Sequence, residues 1–431
     1  MTHPPDNTAS PEKIEKKHLD SLSRTLFVMW GFPELSQTFI ERELRQMHRL
    51  GGEVNVLAAY KVEGETLDPV MQDIVDRTVY FGHPVKIVLN ALGYLARRPG
   101  RFLKVLGTMV AMPHRTLLFR ARSMAMVFAA AAVIDRLKPR DYRFIQAHFA
   151  AYHTELAMAL SMFLEIPFGI TAHATGIWKD RNILKEKIAR AEIVATCTAH
   201  NRDHLADLAG PHRDKVRLVY HGLSLGELPS PTSLPQGETT RFLAIGRMVE
   251  KKGFDHLLEA ARLLEERGVS FEVAFIGEGP LLPALEEQTG RLGLREKVRF
   301  LGKMSNTAVF AHIADAHCLV VPSVRAQNGN MDGIPNVILE ALALGRPVIG
   351  SDLSGIPEVV HHEETGLIVP PGDPAALADA MMRIARDRGF AEDCGAAGRA
   401  FVETHFDVRE NVKTQLALLH DAWNGPAVVQ G

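Results

Sequence analysis

Short apolar strands alternate with amphipathic helices twice along this chain, and this repeat limits the fold more than any other feature. In the first run, apolar strands at 25–30 and 54–58 are separated by a segment with helical periodicity at 37–50. A strand at 241–245 and a helix at 254–267 begin the second run. Strand–helix alternation is the pattern of parallel α/β sheets. Because 431 residues exceed one ordinary core, we predict two doubly wound, Rossmann-like α/β domains that face each other across a cleft.

The stretch 224–240 separates the two runs and contains three prolines and two glycines. We interpret it as a linker between an N-terminal domain at 24–223 and a C-terminal domain at 241–410. A last helix within 411–431 is a candidate for packing back on the N-terminal domain. Residues 1–23 begin polar and charged without an apolar core, which predicts a disordered tail and no signal peptide.

Composition argues against several classes of protein. The formal net charge of −2 gives no global field for nucleic acid, so no nucleic-acid partner is expected. The three cysteines, Cys197, Cys318 and Cys394, are far apart and form no Cys-x-x-Cys pair. We therefore expect no disulfide framework and no zinc site, and we predict a reducing, cytoplasmic compartment. No Asp-x-Asp pair occurs either, so no metal or other cofactor is expected.

Residues 77–134 contain no Asp or Glu, while nine Lys and Arg residues stand there among Leu, Val, Phe, Met and Ala. The pattern predicts helices that are basic on one face and apolar on the other. Such helices can lie on an anionic bilayer; ordinary core helices with a solvated basic face are the alternative. The apolar run at 123–134 has only about half of the ~20 residues that a membrane-spanning helix needs. Peripheral contact with the inner face of the cytoplasmic membrane is therefore the expectation.

The stretch 331–358 is typical of a loop, a helix, a strand and a second loop. Pro335 suits the first position of the helix, and Gly345 suits its end. A helix start beside a Gly-rich loop presents free N–H groups and a positive dipole end, which favour a phosphate. Asp332 before the helix and Glu340 on it can bind two sets of hydroxyls, which indicates a nucleotide-sugar site. The alternative is that Asp332 only caps the helix and Glu340 is solvated.

Three further side chains follow predicted strands, at the edge where an open α/β sheet binds ligands. Arg247 and Lys252 lie in the loop after the strand 241–245, where both can reach a diphosphate. A solvated basic turn is the alternative for this pair. His173 follows the strand 167–171 and is either an active-site side chain or a hydrogen-bonded structural histidine.

The chain resembles the retaining family-4 glycosyltransferases of the GT-B fold over about residues 25–410. The resemblance rests on motifs in the expected order: Ala-His-Phe (147–149), Thr-Ala-His-Ala-Thr-Gly (171–176), His-Gly (221–222), Gly-Arg-Met-Val-Glu-Lys-Lys-Gly-Phe-Asp (246–255), Gly-Glu-Gly-Pro (277–280), Pro-Ser (322–323), the 331–350 stretch and Gly-Ile-Pro-Glu (355–358). Phe32-Pro33 followed by Ser-Gln-Thr-Phe (36–39) is similar to the bacterial exopolysaccharide branch, such as the colanic acid and amylovoran transferases.

The resemblance implies a role for each candidate in the two loops. Arg247 and Lys252 would neutralise the diphosphate of the donor. His173 would sit near the anomeric centre, and Gly31 would let the diphosphate approach the loop after the first strand.

For the stretch 331–358, the resemblance implies that Glu340 binds the ribose hydroxyls and Asp332 binds hydroxyls of the donor sugar. The backbone would face the phosphate and the sugar at Gly333, Ile334, Pro335 and Asn336. The family usually has Glu at the position of Asp332, whose side chain is one methylene shorter, which leaves the donor sugar open.

The implied function is metal-independent, retaining transfer of a hexose from a UDP- or GDP-sugar. The acceptor would be a hydroxyl of a glycan or lipid-linked glycan in exopolysaccharide biosynthesis. A GT-B-type nucleotide-sugar epimerase, a phosphorylase and a non-catalytic polysaccharide-assembly partner are the alternatives.

Overall fold

The computed structural model describes residues 15–34, 38–62 and 67–424. The N-terminal half contains α1 (Lys16–Ser23), β1 (Thr25–Val28), β2 (Gly31–Phe32), α2 (Thr38–Arg49), β3 (Asn55–Ala58), β4 (Tyr60–Lys61), α3 (Pro69–Arg77), β5 (Val79–Tyr80), α4 (Pro84–Arg97), α5 (Pro99–Ala111), α6 (Leu117–Leu137), β6 (Phe144–His148), α7 (Tyr152–Leu164), β7 (Phe168–Ala172), α8 (Leu184–Arg190), β8 (Ile193–Thr196), α9 (Ala199–Ala209) and β9 (Val216–Leu218).

The C-terminal half contains β10 (Thr240–Ile245), α10 (Phe254–Glu266), β11 (Phe271–Ile276), α11 (Leu282–Arg291), β12 (Val298–Phe300), α12 (Asn306–Asp315), β13 (Cys318–Val321), α13 (Asn336–Ala343), β14 (Val348–Ser351), β15 (Gly366–Val369), α14 (Pro374–Arg386), α15 (Arg388–His405) and α16 (Val408–Asn424).

One parallel sheet forms the centre of each half. The strand order is β5-β3-β1-β6-β7-β8-β9 in the seven-stranded sheet and β12-β11-β10-β13-β14-β15 in the six-stranded sheet. The order reverses beside β1 in the first sheet and beside β10 in the second. Ligands of open α/β sheets bind at the carboxyl ends of the strands at such a reversal, so the loops after β1 and β10 are the places to look for a site.

Along β1, consecutive side chains are buried on opposite faces of the sheet. Leu26 and Val28 belong to one hydrophobic core, while Phe27 and Met29 belong to another. Burial on both faces is the property of a parallel sheet covered by helices on each side. The predicted α/β class with two doubly wound sheets is confirmed.

The prediction of a disordered tail at 1–23 is wrong for its last part. Residues 16–23 form α1, which buries Ser21 and Leu22, while residues 1–14 lie outside the described part of the chain. Helix α1 packs against α16, and α16 also packs against α2. Leu22 and Leu416 share one hydrophobic core, so the two ends of the chain stabilise each other on the N-terminal half.

The segment 77–134 folds into β5 and the helices α4, α5 and α6, but its basic face is smaller than the sequence predicted. Four of its nine basic residues are paired with carboxylates outside the segment. These pairs are Arg77 with Glu53 and Asp73, Arg97 with Asp135, Arg101 with Glu165, and Arg122 with Glu155 and Asp180. A count of charged residues within the segment cannot show these carboxylate partners, because they lie outside it.

Helix α6 corrects the expectation that no segment is long enough to span a membrane. The stretch Leu117–Arg140 has 24 residues and a mean hydropathy of 1.7, which suffice by length and composition alone. Core helices of soluble proteins pass the same test. In this fold α6 packs against α4, α5 and α7, and its residues 130–134 are buried in the core of the N-terminal half.

The stretch 224–240 is attached to the C-terminal half by a buried arginine. The Arg346 side chain is 1% exposed. It donates hydrogen bonds to the carbonyl oxygens of Thr232, Ser233 and Ala314, at 2.8, 3.2 and 2.7 Å. These bonds fix the stretch against the helix that precedes β13.

Replacing Arg346 with leucine should destabilise the C-terminal half, because each buried carbonyl oxygen left without a donor costs about 1–3 kcal/mol. We expect the melting temperature of that half, measured by scanning calorimetry, to fall by about 5 °C or more. Arg399→Leu is the control, since it removes only an exposed pair with Glu403. Equal melting temperatures for the two variants would contradict a stabilising role for Arg346.

Candidate active site

The loop that follows β10 carries two lysines to one carboxylate. Lys252 Nζ lies 2.8 Å from Asp332 Oδ2, and Lys251 Nζ lies 2.7 Å from Asp332 Oδ1. Gly253 permits this course of the loop. Its φ is +62°, and a Cβ at this position would collide with the carbonyl oxygen of Pro322.

Opposing effects set the pKa of the Asp332 carboxyl. Burial alone would raise the pKa, but the neighbouring ammonium groups of Lys252 and Lys251 outweigh it and lower the pKa to about 2. The carboxylate is therefore ionised at physiological pH. The alternative that Asp332 only caps α13 is wrong, because its contacts are with the two lysines.

Helix α13 begins at Asn336, and Pro335 is the residue before its first turn rather than part of it. Gly333 and Ile334 form the bend that leads into the helix. The N-cap residue is Pro335, and its side chain accepts no hydrogen bond from the N–H groups of the first turn. The N–H group of Ile338 donates to the carbonyl oxygen of Pro335 at 3.0 Å, which leaves those of Asn336 and Val337 to bind an anion.

Glu340, on α13, is paired across the cleft with Arg42 on α2. Arg42 Nη2 lies 2.5 Å from Glu340 Oε1, and the two side chains are 16% and 9% exposed. The alternative that Glu340 is solvated is therefore wrong. A second contact between the same helices is the hydrogen bond that Asn336 Nδ2 donates to Thr38 Oγ1 at 3.1 Å.

A third link between the halves uses Glu358, the last residue of the 355–358 motif. Its carboxylate accepts hydrogen bonds from the N–H groups of Ala199 and His200, at 2.7 and 2.9 Å. These N–H groups start α9, where the helix dipole favours a negative charge. The Tyr220 hydroxyl also donates to this carboxylate at 3.0 Å, and burial together with Glu358 raises the pKa of Tyr220.

His173 lies in a cluster of four histidines near the carboxyl ends of β6 and β7. The His173 ring stacks on those of His148 and His221, with centroids 5.9 and 5.1 Å away. Its Nδ1 lies 3.3 Å from His221 Nε2. Burial lowers the pKa to about 3 for His148 and His153, to about 4 for His221, and well below the usual value for His173. The four imidazoles are therefore neutral at physiological pH.

The structure also brings a cysteine to this cluster. Ligand atoms of His173, Cys197 and His221 all lie within 4.8 Å of one another. Two imidazoles and a thiolate are donors that zinc accepts, although no residue spacing in the sequence indicated a metal site. Burial raises the pKa of the Cys197 thiol to about 12, so a metal would have to displace its proton. The absence of a metal therefore stays a prediction.

The histidine cluster and the start of α13 face one narrow cavity. It is lined by Cys197, His221, Ile334 and Asn336, together with Leu339 and Phe406. Its volume is about 10 Å³, which is roughly the space of one water molecule. Pockets for ligands the size of a nucleotide sugar measure about 300–1,000 Å³. This cavity is therefore too small for a nucleotide sugar.

The two other predicted residues lie at the edge of this region. Arg247 is exposed in the loop after β10, and no described residue forms an ion pair with it. Gly31 pairs with Tyr60, and a Cβ at Gly31 would lie 2.9 Å from the Tyr60 ring. The space beside Gly31 is therefore filled by that ring. Residues 36 and 37 of the predicted exopolysaccharide motif lie outside the described residues.

Two family models match the chain. The Glycosyltransferase Family 4 model matches residues 36–227, and the Glycosyl transferases group 1 model matches residues 239–387. The chain belongs to the family-4 glycosyltransferases. The resemblance inferred from the ordered motifs is confirmed, and each match covers most of one of the two sheets.

Relatives of this family-4 chain include proteins named for exopolysaccharide synthesis. It is 35% identical over 167 residues to the amylovoran biosynthesis glycosyltransferase AmsK of Erwinia amylovora, covering 39% of this chain and 41% of AmsK. It is 34% identical over 173 residues to the putative colanic acid biosynthesis glycosyltransferase WcaL of Escherichia coli, covering 40% and 42%. The chain thus spans less than half the length of these relatives.

Solved structures share the fold. The Anabaena protein HepE in complex with UDP has a TM-score of 0.66 at 17% identity, covering 91% of this chain and 98% of HepE. A sucrose-phosphate synthase from Thermosynechococcus elongatus has a TM-score of 0.68 at 19% identity, covering 91% and 96%. At such identities the likeness shows the fold alone, which is GT-B.

Three contact residues of this region were not predicted. Lys251 had a signal, since it stands beside Lys252 in the recognised motif. Glu358 also had one, because it ends the Gly-Ile-Pro-Glu motif. Arg42 had none: it is one of several charged residues on an amphipathic helix, and only the tertiary structure shows that it meets Glu340.

The buried histidines predict sensitivity to acid. Neither ring nitrogen of His148 has a hydrogen-bond partner among the described residues, and burial lowers its pKa from 6.5 to about 3. Between pH 6.5 and pH 3, His148 binds a proton in the unfolded chain but not in the folded protein. The contribution of the neutral, buried His148 to the free energy of unfolding is therefore complete above pH 6.5 and is lost as the pH falls toward 3. The contribution changes by about 1.4 kcal/mol per pH unit.

His148→Phe should therefore lose less stability than the wild type between pH 6.5 and 4.5, measured by urea unfolding at fixed pH values. His212→Gln, a change at a partly exposed histidine, should keep the wild-type dependence of the unfolding free energy on pH. If His148→Phe instead shows the wild-type dependence of unfolding free energy on pH, His148 must bind a proton in the folded protein between pH 6.5 and 4.5.

Proposed function

We propose that this chain is a metal-independent, retaining hexosyltransferase that uses a nucleotide-sugar donor in exopolysaccharide biosynthesis. One observation carries the proposal: Asp332 is held by Lys252 beside the uncapped start of α13, with Glu340 on the same helix. Relatives named for amylovoran and colanic acid synthesis support the polysaccharide role. Structures of HepE with UDP and with UDP-glucose support a UDP-sugar as the first donor to test.

In this proposal, Lys252 and Arg247 bind the diphosphate together with N–H groups at the start of α13. Negative charge grows on the departing phosphate as the glycosidic bond breaks. Fixed cations aimed at that charge stabilise the transition state more than the bound donor. Asp332 then exchanges a lysine contact for hydroxyls of the sugar, and Glu340 exchanges Arg42 for hydroxyls of the ribose.

Retention follows when the acceptor hydroxyl attacks from the face that the leaving group occupies. The new C–O bond forms as the bond to the phosphate breaks, and a phosphate oxygen takes the hydroxyl proton. His173 contributes a neutral imidazole near the anomeric centre, which can hydrogen-bond a sugar hydroxyl without adding charge. Closure of the two halves excludes water, which limits hydrolysis of the donor.

The acceptor is a hydroxyl of a glycan or lipid-linked glycan. A lipid-linked acceptor is held at a membrane surface, so we place the enzyme in the cytoplasm, peripherally on the inner face of the cytoplasmic membrane. Exposed apolar side chains on α4 support this location.

Lys252→Ala should lower the transfer rate by about 10²–10³-fold, because one fixed positive group at the leaving phosphate is lost. The measurement is release of nucleoside diphosphate with formation of the glycosylated product, for a panel of UDP- and GDP-sugars. Lys303→Ala removes a lysine from the same half outside the site and should keep the wild-type rate. A wild-type rate for Lys252→Ala would contradict the assignment, and an epimer or a sugar phosphate as product would contradict transfer.

Arg42→Gln should strengthen binding of the nucleoside diphosphate several-fold, because the ribose no longer has to displace a cation from Glu340. Isothermal titration calorimetry measures the change in Kd. Arg45→Gln, on the same helix and paired with Asp68 instead, should leave the Kd unchanged. Weaker binding by Arg42→Gln would mean that Arg42 contacts the nucleotide directly.

A further inference from the structure

Three side chains of types that bind soft metals lie at the ends of neighbouring strands of the seven-stranded sheet. His173 follows β7 directly, Cys197 follows β8 directly, and His221 follows β9 after two intervening residues. The three strands are adjacent and parallel, so their carboxyl ends meet at one edge of the sheet. Each of the three residues is 24 positions from the next, far more than the short spacings of zinc motifs. Only the fold therefore brings these side chains together.

The distance between the two imidazoles fits a shared metal ion. His173 Nδ1 and His221 Nε2 are 3.3 Å apart, and two nitrogens bound to one tetrahedral zinc are separated by about 3.3–3.4 Å. Ligand atoms of these histidines and of Cys197 all lie within 4.8 Å of one another. A nitrogen and a sulfur bound to the same zinc are about 3.6 Å apart, so a shift of the Cys197 thiol by roughly 1 Å completes the set of three.

The fourth position of a tetrahedral site has room for a water molecule. The cavity beside Cys197 and His221 has a volume of about 10 Å³, which is roughly the space of one water. Zinc with three protein ligands and one bound water is a common arrangement. Ile334 and Asn336 line the same cavity, so this water would lie between the histidine cluster and the start of α13.

The charges around the three ligands favour a cation. Burial, and after it the negative charge of Glu358, raises the pKa of the Cys197 thiol. The same negative charge attracts a metal ion. Arg42 is a cation close enough to His221 to add to the effect of burial in lowering its pKa, but Arg42 is paired with Glu340. That carboxylate offsets the repulsion that Arg42 would exert on a metal.

We propose that His173, Cys197 and His221 form a zinc site, and that zinc bound there inhibits the enzyme. Imidazole and thiolate suit zinc, whereas magnesium, calcium and manganese prefer oxygen ligands. As the zinc–sulfur bond forms, the proton of the thiol passes to water. The two ring nitrogens that face each other both use their lone pairs, so the ring that carried hydrogen there carries it on its other nitrogen instead. For His173 that nitrogen is Nε2, which has no hydrogen-bond partner among the described residues.

Inhibition rests on the proposed transfer reaction, whereas zinc binding does not. In the proposed reaction, His173 lies near the anomeric centre and the start of α13 binds the diphosphate. A zinc ion with its water would occupy the space between them and would hold the His173 ring in one orientation. Zinc therefore competes with the donor, and transfer itself needs no metal.

The test of binding is titration of the metal-free full chain with Co²⁺, a spectroscopic substitute for zinc. Tetrahedral Co²⁺ absorbs visible light strongly, and a cobalt–thiolate bond adds a charge-transfer band in the near ultraviolet. We expect one Co²⁺ per chain to produce both signals, and we expect zinc to remove them by displacing the cobalt.

Two variants test the ligands separately. Cys197→Ala should remove the charge-transfer band. His221→Phe, which keeps an aromatic ring, should weaken Co²⁺ binding by about 100-fold or more, because loss of even an outer partner of a metal ligand costs about 10–100-fold. The matched controls are Cys394→Ala, at a buried cysteine of the C-terminal half, and His204→Phe, at a histidine that stacks on Trp178. Both controls should keep both signals, and circular dichroism checks the fold of each variant.

The test of inhibition compares transfer with and without zinc in the same variant, so a change in the metal-free rate does not enter. At a donor concentration below KM, zinc at about ten times its Kd should lower the wild-type rate by about tenfold, by mass action. Excess chelator should restore the rate, and a higher donor concentration should relieve the inhibition. Cys197→Ala should be insensitive to the same zinc concentration, whereas Cys394→Ala should be inhibited as the wild type is.

Each part of the proposal has its own contrary result. Absence of the charge-transfer band from the wild type, or its persistence in Cys197→Ala, would overturn the zinc site. An unchanged rate for the zinc-loaded wild type would overturn the inhibition. Failure of the proposed function looks different: no sugar is transferred from any donor with or without zinc. Inhibition then falls with that function, while the cobalt spectrum still decides whether the site exists.

Discussion

Two carboxylates with little exposure to solvent, Asp332 and Glu340, lie in the cleft, and each is paired with lysine or arginine, as the cost of burying a charge requires. Asp332 obtains its cations from its own half, since Lys251 and Lys252 lie in the loop after β10. Glu340 obtains Arg42 from the other half. The first arrangement persists when the halves separate, whereas the second exists only when they meet. Glu340 is therefore the carboxylate whose surroundings report whether the cleft is closed.

This difference explains how contacts within the protein can hold the two halves together along the cleft. The cavity at the start of α13 has a volume of only about 10 Å³, and Asp332 and Glu340 are each paired with cations of the protein. Glu358 adds a contact of the same kind, because its carboxylate takes the free N–H groups at the start of α9. Each of these contacts is polar and can be exchanged for water or ligand.

Much of this could be predicted from the sequence, because the information is local. Strand–helix alternation gave both sheets, Gly345 has the positive φ expected at a helix end, and the motifs at 246–255 and 331–350 pointed to Lys252 and Asp332. The features that were predicted wrongly or missed depend on contacts between residues that are distant in sequence. The helix at 16–23 is stabilised by α16 from the other end of the chain, and Arg42 meets a glutamate 298 residues away. No periodicity or spacing encodes such pairs.

The segment 77–134 shows the same limit in a way that changes the physics of membrane contact. Its lack of acidic residues indicated attraction through charge, yet Arg97, Arg101 and Arg122 are paired with carboxylates from outside it. Attraction by the remaining cations is screened beyond about 8 Å at physiological salt. Part of the charge counted from the sequence therefore stabilises contacts within the fold, and the remaining charge acts only within that distance.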